Sequence, residues 1–230
     1  MKRVVLISVL YSLMSISMLS AQSYSVNVNK LVEELQILSD SSDTFRMVWW
    51  IPSDFWAVSL AEDPNTSQRD IDEIVRIFEQ YTIAAIIDGK VGVFGGITYR
   101  DREEIEAEIM AFDNNLTPYK PIAEDKLDAD TKVVLSMLKP VLANMLGQMG
   151  ENMQFFAFSK KIRGKNNEVI GPTDEGVFNV ALGEEQFSWR LPLGSLLPPK
   201  YCPYDQEELS GAWKYCPHHG EELLSEQRQQ

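Results

Sequence analysis

Nine residues near the C-terminus, Tyr201-Cys202-Pro203-Tyr204-Asp205-Gln206-Glu207-Glu208-Leu209, recur fourteen positions on as Tyr215-Cys216-Pro217-His218-His219-Gly220-Glu221-Glu222-Leu223. Both cysteines and both histidines of the 230-residue chain lie in these two copies. Cys and His bind borderline and soft metals, and paired cysteines cross-link. A tail this short buries too little apolar surface to hold itself in place, so a metal ion, a disulfide or packing onto a larger body must fix it.

The tail resembles a zinc ribbon. Cys202-Pro203-Tyr204-Asp205 matches the first Cys-Pro-x-Cys knuckle of such ribbons, and Cys216-Pro217-His218-His219-Gly220 matches the second, with ten residues from Gln206 to Tyr215 between them. The resemblance covers about residues 200–224 and implies a four-donor zinc site made by Cys202, Asp205, Cys216 and His219. Asp205 stands where the family has Cys, and Gln206 where it has the knuckle glycine. His218 is a spare donor. Two readings compete with a structural metal. A Cys202–Cys216 disulfide would close a loop of roughly 15 residues and contribute about 3 kcal/mol. A metal-free ribbon would instead rest on packing of Tyr201, Leu209, Trp213 and Tyr215.

At the other end, Lys2 and Arg3 precede an apolar run from Val4 to Leu19, and Ser20-Ala21 offers a cleavage site before Gln22. Residues 1–21 therefore read as a secretory signal. The run of roughly 16 residues falls short of the ~20 that span lipid, and serines dilute it, so no stable membrane insertion is expected once the signal is cleaved. An exported chain, periplasmic or extracellular, is the expectation, and such a compartment permits one disulfide. The formal charge is −13. Phosphate backbones repel such a chain, which argues against nucleic acid as a partner.

Between these ends, residues 22–199 read as one α+β domain, with residues 200–230 as a ribbon-like tail. Leu31, Leu35 and Leu38 predict a helix over 28–38. Residues 45–51 are strand-like and end at Pro52. Thr66 is the expected cap of a helix bearing Ile71, Ile74, Val75 and Phe78. Two apolar runs, 81–87 and 91–99, flank Asp88-Gly89, which predicts a hairpin turning there. Residues 101–111 read as an acidic helix with Ile105 and Ile109 inward. Thr131 is the expected cap of a longer helix that Pro140 kinks or splits, with Met137, Met145 and Met149 in the core. Residues 153–158 form a strand, 160–176 a loop, and 177–182 with 186–190 a second hairpin; 191–200 is an extended linker. Helices and hairpins alternate without a βαβ rhythm, which favours an antiparallel sheet packed against helices.

Other candidate sites have plainer readings beside them. Trp49, Trp50, Phe55 and Trp56 form either a platform for a sugar ring or a packed core, and burial of large apolar rings favours the core. The acidic run Asp101, Glu103, Glu104, Glu106, Glu108 reads as a solvated helix face. Asp125, Asp128 and Asp130 lack the glycine and terminal Glu of a calcium loop. No Gly-x-Ser-x-Gly, phosphate loop or dinucleotide fingerprint occurs. With both histidines in the tail, a His-based triad in the main domain is excluded. The expectation is a non-enzymatic binding or assembly protein of the cell envelope or exterior, acting on a protein or glycan partner. The alternative is a carboxylate-based hydrolase, glycan-directed through Trp49–Trp56.

Overall fold

The computed structural model describes residues 24–160 and 171–228. The signal segment 1–21 and most of the 160–176 loop lie outside these residues. In chain order the described elements are helix α1 (Val28–Leu35), strands β1 (Gln36–Leu38) and β2 (Thr44–Ile51), helices α2 (Ser53–Leu60) and α3 (Gln68–Phe78), strands β3 (Tyr81–Val91) and β4 (Ile97–Tyr99), helix α4 (Arg102–Glu108), strands β5 (Ile109–Phe112) and β6 (Pro118–Tyr119), helices α5 (Ala129–Leu146) and α6 (Gln148–Glu151), and strands β7 (Gln154–Ser159), β8 (Gly176–Leu182), β9 (Glu185–Leu191), β10 (Lys200–Tyr201) and β11 (Glu208–Leu209). Every strand pairing is antiparallel. The fold is α+β.

One sheet runs β1-β2-β3, and β4 and β7 share the far edge of the long strand β3. A second runs β6-β5-β8-β9, and β10 pairs with β11 in the tail. The two larger sheets meet through Trp50 of β2, whose ring lies 4.6 Å from Phe178 of β8 and 5.7 Å from Trp189 of β9. Trp50 is 1 % exposed, and its indole N–H donates to Thr82 Oγ1 at 2.7 Å, so its one polar atom is satisfied inside the core. Its neighbour Trp49 points the opposite way, edge-on to Phe55 of α2 at 5.4 Å, as strand alternation requires. Trp56 of α2 stacks on Phe78 of α3 at 4.7 Å. Strand β3 is buried continuously from Tyr81 to Gly89, because both its faces are covered. Strand β9 alternates instead, with Phe187, Trp189 and Leu191 inward and Gln186, Ser188 and Arg190 outward.

Several local expectations are corrected. The chain does not turn at Asp88-Gly89; β3 continues through both residues, and the turn lies over Gly92–Gly96, where Gly95 takes φ +81°. Asp88 is instead a buried acceptor for two guanidinium groups, Arg46 Nε at 2.9 Å and Arg100 at 3.0 Å. The helices expected over 28–38 and 101–111 are both shorter, and their last residues form β1 and β5. Ser67, not Thr66, caps α3, and Asp128, not Thr131, caps α5; Thr131 lies inside and donates its hydroxyl back to Asp128. Helix α5 runs through Pro140 as one element. Met137 and Met145 are exposed on it, while Met153 is fully buried.

Candidate metal centre

The two knuckles superimpose in their hydrogen bonding. In the first, the Cys202 N–H donates to Glu207 O at 3.0 Å and the Gln206 N–H to Cys202 O at 2.9 Å. In the second, Cys216 N–H donates to Glu221 O at 2.7 Å and Gly220 N–H to Cys216 O at 2.8 Å. Each cysteine thus starts a tight turn whose amides fold back toward it. Strands β10 and β11 pair beside the first knuckle, and a bridge between Tyr201 and Leu224 ties the end of the tail back to its start. Cys202 and Cys216 are buried with Leu223, and Leu209 packs against them, forming a small core separate from the main one.

This folding brings three of the four expected donors to one point. Cys202 Sγ lies 3.3 Å and Cys216 Sγ 3.5 Å from His219 Nδ1. The three ligand atoms all lie within 4.8 Å of one another. The fourth expected donor is adjacent, with Asp205 Oδ2 3.7 Å from the same His219 nitrogen. The other histidine does not join: His218 is 62 % exposed and turns its Nε2 toward Glu207 at 3.8 Å. The His219 ring is held from behind by Tyr204, stacked at 4.6 Å.

These separations can be compared with those a metal would impose. Zinc bonds sulfur at about 2.3 Å and imidazole nitrogen at about 2.0–2.1 Å, so a tetrahedral site has sulfur–nitrogen edges of about 3.5 Å. The observed 3.3 and 3.5 Å match such edges without rearrangement. The Cys2His group can hold a metal ion. No disulfide joins the two thiols.

No family model, curated protein or solved structure matches this chain.

The electrostatics of the pair are unequal. Burial pushes the Cys202 thiol above its ordinary value. Burial acts the same way at Cys216, but the backbone N–H groups of His218 and His219 and the His219 ring outweigh it and hold that thiol below its ordinary value. The Glu207 backbone N–H, followed by the Cys202 thiol, holds the Asp205 carboxyl low. The downward shifts at Cys216 and Asp205 both favour the deprotonated forms that a cation needs.

The segment leading into the knuckles is clamped to the main body by a residue that sequence reasoning missed. The Glu34 carboxylate on α1 accepts the Gly194 N–H at 2.8 Å, the Ser195 N–H at 2.9 Å and the Ser195 hydroxyl. A Cβ at Gly194 would lie 2.0 Å from Ser210 Oγ, so a larger residue there would force that hydroxyl to turn away. More than 150 residues separate Glu34 from its partners, a distance over which no local pattern carries a signal.

The other candidate sites resolve into structure. Trp50, Phe55 and Trp56 are buried and Trp49 packs on Phe55, so this cluster offers no sugar platform. On the acidic helix α4, Asp101 and Glu104 form a capping box, and Glu108 pairs with Arg100 at 2.9 Å. Asp128 is consumed by the α5 cap and by the Tyr81 hydroxyl at 2.9 Å.

Proposed function

We propose that the tail is a zinc-ribbon-like pair of knuckles, holding one zinc ion through Cys202, Cys216, His219 and Asp205. The ion holds the two knuckles together and so orders the chain end of an exported, non-enzymatic binding or assembly protein. The carrying observation is the approach of both cysteine sulfurs to one imidazole nitrogen at 3.3 and 3.5 Å. Thiolate and imidazole donors at tetrahedral spacing suit zinc among the common divalent ions. With Asp205 as fourth donor the shell is closed, which suits a structural rather than a catalytic ion.

The role of staple is supported by the size of the tail core. Two cysteines and two leucines form it, too little to order a chain end unaided. Export is supported by the basic pair, the apolar run and the small residues before Gln22; among the described residues no helix is long and apolar enough to cross a membrane. Burial of Trp50, Phe55 and Trp56, with Trp49 packed edge-on to Phe55, leaves the hydrolase alternative without its substrate platform.

Elemental analysis of the native protein, purified without chelator, is the test. One zinc per chain is expected, lost in Cys216→Ala. Two oxidised cysteines in an intact mass, with no metal bound, would replace this reading with the disulfide.

A further inference from the structure

The turn between the knuckles carries a large aromatic side chain that the tail does not bury. Trp213 is 46 % exposed and Tyr215 is 54 % exposed. Their backbone is nevertheless fixed. The Trp213 N–H donates to Ser210 O at 3.1 Å, the Trp213 carbonyl accepts Lys200 Nζ at 2.8 Å, and Tyr215 is bridged to Glu222. A ring held out on an ordered turn binds without a large ordering cost, which is how aromatic anchors act at interfaces.

Both rings line a cleft of about 450 Å³ whose other wall is the end of β9, with Arg190, Leu191 and Pro192. Strand β9 is the last strand of its sheet, and its outer edge makes no backbone hydrogen bond among the described residues. Such an edge presents free N–H and C=O groups to any extended chain laid beside it. The cleft is also a basic spot on an acidic molecule. Arg190 and Lys214 both line it, and neither forms an ion pair among the described residues, although acids outnumber bases 34 to 21. Lys214 only caps the Tyr215 ring, at 5.4 Å. The one carboxylate in the lining, Glu34, is already saturated by Gly194 and Ser195.

We infer that this cleft is a docking site for an extended acidic segment of a partner protein. The segment pairs with the β9 edge, lays an apolar side chain against Trp213 and Tyr215, and sets its carboxylates on Arg190 and Lys214. Strand addition supplies main-chain affinity, and the rings and cations supply selectivity. A free strand edge favours a peptide over an acidic saccharide, which has no use for a row of amides. The inference rests on the proposed ribbon in one respect only, that the knuckles hold Trp213 in place.

The test uses the full mature protein and a library of eight-residue peptides with Asp or Glu at alternate positions, against the same library carrying Lys there. Acidic members are expected to bind, to shift the amide resonances of residues 185–191 and to weaken as salt rises. The double variant Arg190→Glu with Lys214→Glu should lose at least ten-fold in affinity for acidic peptides while keeping its circular dichroism and thermal midpoint. Trp213→Ala should lose a similar factor. Equal binding of both libraries, absence of acidic binders, or binding that leaves the β9 amides unmoved would overturn the proposal. So would binding of oligogalacturonate in place of peptide. Chelation separates the two readings: if binding survives it while the double variant still fails, the docking site stands and the zinc staple falls.

Discussion

Gln206 and Gly220 occupy the same left-handed backbone position in their two knuckles, with φ of 64° and 72°. Glycine takes this conformation freely, whereas a side chain there costs about 1–2 kcal/mol. Gln206 offsets that cost with its own amide group, which donates to Cys202 O at 3.1 Å and accepts the Arg228 N–H at 2.8 Å. Gly220 has open space around it, so Gly220→Ala meets only backbone strain and should destabilise the tail by about 1 kcal/mol. Gln206→Gly should change stability by less than about 0.5 kcal/mol, because relief of strain and loss of the side-chain bonds oppose each other. Thermal unfolding of each variant beside the wild type distinguishes the two; equal losses would refute the argument.

Asp88→Asn should be among the most damaging single-atom changes in the main body. Asp88 is 1 % exposed and bonds Arg46 and Arg100, which also reach Glu185 and Glu108 on the second sheet and on α4. Removing the central charge leaves two cations facing each other. The expected loss is about 2–3 kcal/mol, below the ~3–5 for breaking a fully buried pair because both guanidinium groups still touch water. Urea unfolding of the variant measures it, and a change under about 1 kcal/mol would show that the outer carboxylates carry the network.

How much of this was legible in the sequence depends on whether the signal was local. The α+β class, the Gly183 hairpin and the opposite directions of Trp49 and Trp50 follow from periodicity and turn chemistry alone. The twin knuckles were legible because they are written twice. Asp88-Gly89 misled because a polar residue beside glycine has the form of a turn, and only tertiary pairing with Arg46 and Arg100 keeps Asp88 in a strand. Methionines 137 and 145 misled for a related reason: α5 is apolar around much of its surface, and its hydrophobic residues that pack on the core are Val134, Leu135, Leu138, Leu142 and Leu146. The Glu34 clamp and the β9 cleft join residues far apart in the chain, so no window of sequence contains them.

The turn from Asp113 to Tyr119 should give stability a defined pH window. Asp113 is buried, which alone would raise its carboxyl. The N–H groups of Thr117 and Asn115 and the Tyr119 hydroxyl outweigh that and hold it low. Burial and the Asp113 charge push the Tyr119 phenol up to about 12. A depressed carboxyl contributes stability above its unfolded value of ~3.9 and loses it as pH falls through the folded one; a raised phenol contributes below ~10 and loses it as pH rises. The advantage of the wild type over Tyr119→Phe should therefore be constant from about pH 5 to 9 and shrink on either side. Urea titrations of both proteins from about pH 3 to 11 check it, and a gap that stays constant over that whole span would exclude the coupling.

The donors of the proposed metal site should rank by position rather than by residue type. His219 sits between both sulfurs, whereas His218 is exposed and turned toward Glu207, so the adjacent histidines should behave oppositely. His218→Ala is expected to keep full zinc stoichiometry and affinity. His219→Ala should weaken zinc by at least ~10–100-fold, since it removes a ligand and not merely an outer partner. Asp205→Ala should fall between them, because water can fill a fourth position at an exposed carboxylate. Competition with a chromophoric chelator gives all three affinities. Cobalt substitution supplies an independent reading, since loss of the tetrahedral absorption only in His219→Ala would place the imidazole in the shell, and its loss in His218→Ala would mean that the two histidines have exchanged roles.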